Sequence, residues 1–304
     1  MTRLDRFVIF CVIAGLVALI FGARPAFVYD PAQGRRPLPE TPAPTPVTPP
    51  PPALAEPTPE RIRRPLPLPA PSPSDPLYTA QVEAVEPGMM MIGTSFPIGR
   101  GLWMTARHVA NADCQRLYIV IGGEARRATI KFLHPDADLA VLQTPFTAPT
   151  WLPINDSDAV PQERGYGFGF PAGNLGGMED QLLGRSRFQL QGRLQGTAAV
   201  LTWAEVRRYP DSLAALAGIS GGPMFDPEGK VIGINVASSE RRGRVHTVAP
   251  EILRQTQSDL MLGDAGAPVA AREVTAPGIA LETTAQALSS DARIAKTYCL
   301  PTKS

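Results

Sequence analysis

The run LAGISGGPMFD, residues 216–226, sets one small hydroxyl, Ser220, among glycines that end in a proline. A serine hydroxyl is a weak nucleophile until a neutral imidazole takes its proton and a carboxylate holds that imidazole in one tautomer. Three histidines are available as the base. His108 lies in LWMTARHVAN, where a strand-like run gives way to a loop, a position suited to the mouth of a site. His134 opens HPDADLAVLQT beside a proline and reads as a surface or turn residue, and His246 lies in the last strand-like run. The same HPDADLAVL offers Asp138 just before an apolar strand, with Asp136 as the rival carboxylate. Gly218 allows the backbone to turn so that its N–H and that of Ser220 point at one spot, the arrangement that stabilises an oxyanion. Gly221 and Gly222 permit close approach of neighbouring backbone. By composition alone, GISGGP also reads as a simple tight turn.

These side chains need a scaffold, and the chain from Leu77 onward supplies β-rich material. TAQVEAV, MMMIGTSFPIG, GLWMTARHV, RLYIVIG, RATIKFL and LAVLQT are short runs rich in Val, Ile, Thr and aromatics, broken by Gly, Pro, Asn or Asp. A second series follows Pro161: GYGFGFP, SRFQLQGRL, AAVLTWAEV, GGPMFD, KVIGINVAS and VHTVAP. Two similar antiparallel units predict an all-β fold, as paired barrels or a sandwich. A helix is predicted only at PEILRQTQSDLML, with Pro250 in its first turn and Ile252, Leu253, Leu260 and Leu262 on one face. Residues 263–304 are rich in Ala, Thr and Ser and too few for a further ordinary domain.

Composition narrows the partners. The formal charge is +1 and there is no dense Lys/Arg block, so no nucleic-acid footprint is present. Three histidines and three cysteines lack short metal-ligand spacing, which argues against a zinc site. Of 34 prolines, 18 fall between Pro31 and Pro76. That stretch lacks backbone donors and bulky apolar residues, so it is expected to be a disordered or polyproline II linker, about 140 Å long if extended. Before it, FVIFCVIAGLVALIFGA (7–23) carries no charge and would make a helix of roughly 25 Å, enough to cross a bilayer. No pair of small residues at cleavage spacing stands between Ile20 and Phe27, which favours an uncleaved anchor over a signal peptide. With the N-terminus in the cytoplasm, the rest lies in an oxidising compartment, where Cys114 and Cys299 are available to pair; two unpaired thiols are the alternative.

TARH (105–108), DADLAVL (136–142) and GISGGP (218–223), in that order on a double β unit, resemble the trypsin-fold serine proteases. Spacings of 30 residues from His108 to Asp138 and 112 from His108 to Ser220 are similar to those of the bacterial HtrA/DegP-type branch. VIGINVASS and VHTVAP resemble the strands that follow the serine there, and the resemblance spans about residues 78–258.

It implies two six-stranded antiparallel β-barrels, about 77–157 and 158–250, within a protease domain of 77–260. Residues 1–6, the anchor 7–23 and the linker 24–76 precede it, and a tail, 261–304, follows. It also implies His108 as general base, Asp138 as its orienting carboxylate, Ser220 as nucleophile, and Gly218 and Ser220 as oxyanion donors, with no metal or organic cofactor. A pocket would be lined by Ala214, Val236, Ala237, Ser238 and His246. Ala214 stands six residues before the serine, where tryptic relatives carry an acid, so small or medium apolar substrate side chains are expected.

No cysteine follows His108, and only the short tail stands where HtrA-type proteins carry PDZ domains. The implied protein is a membrane-tethered serine endopeptidase at the bacterial inner membrane, its protease domain in the periplasm, or secreted if residues 7–23 are cleaved. Peptides or proteins are its partners; nothing indicates an oligomeric state. The alternative is a silent scaffold that binds a peptide or envelope partner. A serine esterase of the α/β-hydrolase type disagrees with the order of the residues, because only His246 follows Ser220.

Overall fold

A computed structural model of the chain describes residues 66–82, 90–111, 114–192, 196–239, 242–260 and 280–301. The expected anchor at 7–23 and most of the expected linker lie outside the described residues. Among those described, no helix is long and apolar enough to cross a membrane.

The polypeptide is mostly β. Strands β2 (Met91–Gly99), β3 (Leu102–Thr105), β4 (Cys114–Ile121), β5 (Glu124–Leu133), β6 (Ala140–Gln143) and β13 (Ala295–Pro301) close a six-stranded barrel in the order β13-β2-β3-β6-β5-β4. Strand β3 is buried along its length because its alternating side chains serve two cores. Trp103 packs with Leu117, Ile119 and Leu142. Leu102 and Met104 point to the larger cluster shared with the second sheet. Pro97 is tolerated inside β2 because β13 pairs with β2 only from Met91 to Ser95, so the missing N–H falls past the end of that neighbour.

The second sheet is built from β1 (Leu77–Val82), β7 (Arg164–Gly169), β8 (Gly176–Gly192), β9 (Gly196–Tyr209), β10 (Pro223–Phe225), β11 (Val231–Ser239) and β12 (Arg244–Val248). Its order is β1-β8-β7-β10-β11-β12-β9, and β8 and β9 also pair with each other. Helix α1 (Pro250–Asp259) starts at the expected proline and buries Leu253. Ile252 and Leu260 pack partly buried against the core, and Leu262 lies outside the described residues.

Three placements correct the sequence-based boundaries. First, β1 is not part of the first barrel: it runs parallel to β8, Leu77 opposite Arg187 through Val82 opposite Gly192. It takes the part of β8 beyond Gln181, where β7 no longer pairs. Second, the expected tail enters the fold. Helix α2 (Leu281–Ser290) buries Leu281, Ala285 and Leu288, one face at helical spacing, and β13 then fills the gap between β2 and β4. Third, residues 66–76 are not a free linker. The N–H of Leu68 donates to the Ala159 carbonyl (2.8 Å) and that of Arg187 to the Pro76 carbonyl (2.8 Å). Arg185 Nε donates to the Pro69 carbonyl at 2.5 Å, and Leu68 packs against the cluster holding Leu216 and Ile219. Prolines lack a donor but keep their carbonyls as acceptors, so a proline-rich segment can be held by neighbouring arginines and amides.

Candidate active site

The first group of the site stands where β3 ends. After Thr105 the chain makes a tight turn, with the N–H groups of Val109 and Ala110 both donating to the Ala106 carbonyl. This turn presents His108, whose side chain is 19% exposed. Asp138 sits at the other rim of the same barrel end, just before β6, with its side chain 8% exposed. Its carboxylate is engaged twice by His108. The backbone N–H donates to Oδ1 at 2.8 Å, and the ring Nδ1 donates to Oδ2 at 2.6 Å. A carboxylate only accepts, so Nδ1 carries the proton, and in the neutral imidazole this leaves the lone pair on Nε2, the tautomer a general base needs. Asp136 is exposed and its N–H is turned toward His134, so the structure pairs His108 with Asp138 and not with the rival.

Ser220 sits in a turn between β9 and β10, half-buried, with Gly218 and Ile219 buried on one side and Gly221 and Gly222 on the other. Two short-range bonds shape this turn: the N–H of Ile219 to the Leu216 carbonyl (2.9 Å) and that of Gly222 to the Ile219 carbonyl (2.8 Å). Gly221 donates to the Asn235 carbonyl on β11 at 2.7 Å. Gly218 has φ +103°, a conformation that side-chain-bearing residues avoid. A Cβ on Gly221 would lie 2.1 Å from the Thr94 carbonyl oxygen and 2.2 Å from Thr105 Oγ1, so the close approach expected of this glycine is realised. Among the described residues, the N–H groups of Gly218 and Ser220 have no protein acceptor.

Thr94, fully buried on β2, joins the two halves. Its hydroxyl donates to the Gly218 carbonyl (2.9 Å) and accepts from the Phe170 N–H (3.0 Å). Its N–H donates to the Ser220 carbonyl at 2.8 Å, and its carbonyl accepts from Thr105 Oγ1 at 2.7 Å. A single residue of the barrel therefore holds both the serine turn and the strand that ends at the histidine.

Residues 93–234 match the family model described as the trypsin-like peptidase domain. The chain contains a trypsin-like peptidase domain. No curated relative matches the chain. Among solved structures it is similar to the Rv3671c protease of M. tuberculosis in its active form, at 21% identity over 61% of this chain and 84% of that one, with a TM-score of 0.46. It is also similar to the HtrA-type protease AlgW with a decapeptide, at 18% identity over 56% of this chain and 51% of that one, with a TM-score of 0.45. The MamO protease domain from Magnetospirillum magneticum aligns at 18% identity over 56% of this chain and 96% of that one, with a TM-score of 0.43.

Within the peptidase domain the expected pocket residues fall on three segments, the loop before the serine turn, β11 and β12. Ala214 is exposed in the loop before the serine turn, while Val236, Ala237 and Ser238 run from buried to exposed along β11. His246 pairs in register with Ala237 but is only 4% exposed, with its ring centroid 5.4 Å from that of Tyr78 and 4.5 Å from that of Phe188. It is an interior histidine. The Thr202 hydroxyl donates to Ser186 Oγ (2.7 Å), leaving its oxygen to accept from His246 Nδ1 at 3.0 Å. Burial, reinforced by the nearby Arg244 guanidinium, lowers the imidazole pKa to about 4.

Cys114 and Cys299 form a disulfide that ties β4 to β13 at the same barrel end as His108. Cys114 Sγ lies 3.6 Å from the Val109 carbonyl oxygen, one residue after the catalytic candidate. Sequence reasoning missed Thr94, Arg107 and Asn235. Thr94 adds one hydroxyl to a largely apolar strand, and nothing local in TSFPIG marks its partners 76 and 124 residues away. Among the described residues, no cluster of three or more His, Cys, Asp or Glu could hold a metal ion.

Proposed function

We propose that the peptidase domain is a serine endopeptidase using His108, Asp138 and Ser220. The observation that carries this reading is the double hydrogen bond from His108 to Asp138, next to the end of β3, which Thr94 clasps to the turn bearing Ser220. His108 Nε2 would take the proton from Ser220 Oγ as that oxygen attacks the scissile carbonyl carbon. The developing oxyanion is received by the N–H groups of Gly218 and Ser220. Collapse breaks the C–N bond, the amine leaves with the proton from His108, and water then hydrolyses the acyl-serine by the same base. Asp138 stays ionised and stabilises the imidazolium.

Ala214 and the β11 segment Val236–Ser238 carry no charge, which supports a preference for small or medium apolar side chains before the cut. Residues 7–23 would tether the chain to a membrane with the domain outside the cytoplasm, and the Cys114–Cys299 disulfide supports an oxidising compartment.

The test is digestion of an unfolded protein substrate by the full chain, with products mapped by mass spectrometry. Ser220→Ala and His108→Ala are each expected to lower kcat by on the order of 10⁴ to 10⁶. Peptide binding without cleavage by the parent chain would replace this reading with that of a silent scaffold.

A further inference from the structure

We propose that His134 is a positioning residue that holds Asp138 in register with His108, and that hydrolysis by this site falls when His134 is protonated. This rests on the roles proposed above for His108 and Asp138. His134 begins the five-residue turn that ends at Asp138, and its ring closes that turn. Its Nδ1 accepts from two successive backbone donors, the N–H of Asp136 at 3.1 Å and that of Ala137 at 2.9 Å. The His134 N–H donates to the Leu139 carbonyl at 2.9 Å, bracketing Asp138 from the far side. Arg107, adjacent to His108, donates through Nη1 to the carbonyls of His134 and Pro135, both at 2.9 Å. The turn that carries the carboxylate is thus fastened at its start to the turn that carries the base, and Asp138 Oδ1 and Oδ2 are left aimed at His108.

An imidazole can do this only while Nδ1 bears a lone pair. Adding a proton there sets a third N–H against two others, and the turn must open or the ring must rotate out. The ring is half-buried and meets Phe132 edge-on, at 6.1 Å between centroids. Burial and three charged groups set its titration. Burial lowers its pKa most, Arg107 lowers it further, and Asp136 of its own turn and Asp259 at the end of α1 oppose them. The Asp138 carboxylate is directed away from the ring, toward His108.

The experiment uses the full chain and the variants His134→Ala and His134→Asn. The side-chain oxygen of Asn accepts from the same two N–H groups, as in an Asx turn, and takes no proton. With wild type, kcat is expected to fall more steeply toward acid pH than in His134→Asn, because only the wild-type turn carries a ring nitrogen that takes up a proton. His134→Asn should keep kcat within about threefold at pH 8 and make that acid fall shallower. His134→Ala should lose tenfold or more in kcat with KM little changed. A second readout does not depend on turnover: in ¹⁵N-histidine NMR spectra, the Nδ1–H proton of His108 should exchange faster with solvent in His134→Ala than in wild type or His134→Asn.

If wild type does not hydrolyse peptides but the His108 proton is still protected through His134, the functional reading fails and the positioning role stands. If kcat, the acid slope and the exchange of the His108 proton are the same in His134→Ala as in wild type, the positioning role is wrong. An acid fall equally steep in wild type and His134→Asn overturns the pH dependence.

Discussion

Replacing Thr94 by Val keeps the shape of the side chain and removes one oxygen, which makes it a clean probe of the clasp between the two halves of the site. In wild type that oxygen serves two buried partners, donating to the Gly218 carbonyl and accepting from the Phe170 N–H. Both partners would lose that hydrogen bond while remaining buried. Each orphaned buried group costs about 1 to 3 kcal/mol, so the variant should lose about 2 to 6 kcal/mol of stability.

On the proposed mechanism the effect on catalysis would come through Gly218, whose carbonyl would no longer be anchored while its own N–H is the proposed oxyanion donor. Loss of one oxyanion donor costs about 10² to 10³ in kcat, and partial misalignment should cost at least about tenfold. Thr94→Ser retains the hydroxyl and should remain within about 1 kcal/mol and a few-fold in kcat. Urea denaturation followed by circular dichroism measures the first quantity, and initial rates on a peptide substrate measure the second. Thr94→Val matching Thr94→Ser in both stability and kcat would refute the clasp.

Other outcomes follow from the same geometry. Reducing the Cys114–Cys299 bond, which closes a loop of 185 residues, should lower stability by up to about 5 kcal/mol in the chain-entropy model, read as a fall in Tm with added thiol. Because the bond pins β13 beside the His108 turn, activity should fall with it at temperatures near the new Tm. Burial sets the His246 pKa near 4 in the folded chain against 6.5 ordinarily, so the folded state binds fewer protons between those values. Its contribution, roughly 3 kcal/mol, is present above pH 6.5 and is lost as pH falls toward 4. His246→Gln should flatten that part of the stability profile measured by urea titration. A peptide library digested by the full chain should be cut after Ala, Val and similar residues, and cleavage mainly after Lys or Arg would contradict the uncharged pocket.

The parts of the site that lie in one run of sequence were legible before any coordinates. TARH, DADLAVL and GISGGP each place a reactive group at the edge of a strand, and the structure brings His108 and Asp138 into double contact. The close approach at Gly221 was readable because only glycine admits neighbouring backbone at that distance. Pairings between distant segments were not readable. AKTYCLP has the alternation of a strand, but nothing in it says that it completes a barrel whose other members begin two hundred residues earlier, with Thr297 opposite Gly93. TAQVEAV likewise reads as a strand without revealing its parallel partner. Residues 66–76 were misread because proline content describes what a segment cannot donate, and the docking uses what it can accept. His134 was read as a turn residue correctly, but the reading of it as a surface group missed that its ring nitrogen builds the turn.

The central claim is that Ser220 is a nucleophile activated by His108, and labelling with a fluorophosphonate tests it most directly. The full chain would be treated with the probe, digested and mapped by mass spectrometry, alongside His108→Ala and Ser220→Ala. An adduct on Ser220 that disappears in His108→Ala is the predicted result. A folded chain that takes no adduct, or one that labels Ser220 equally without His108, would contradict the account.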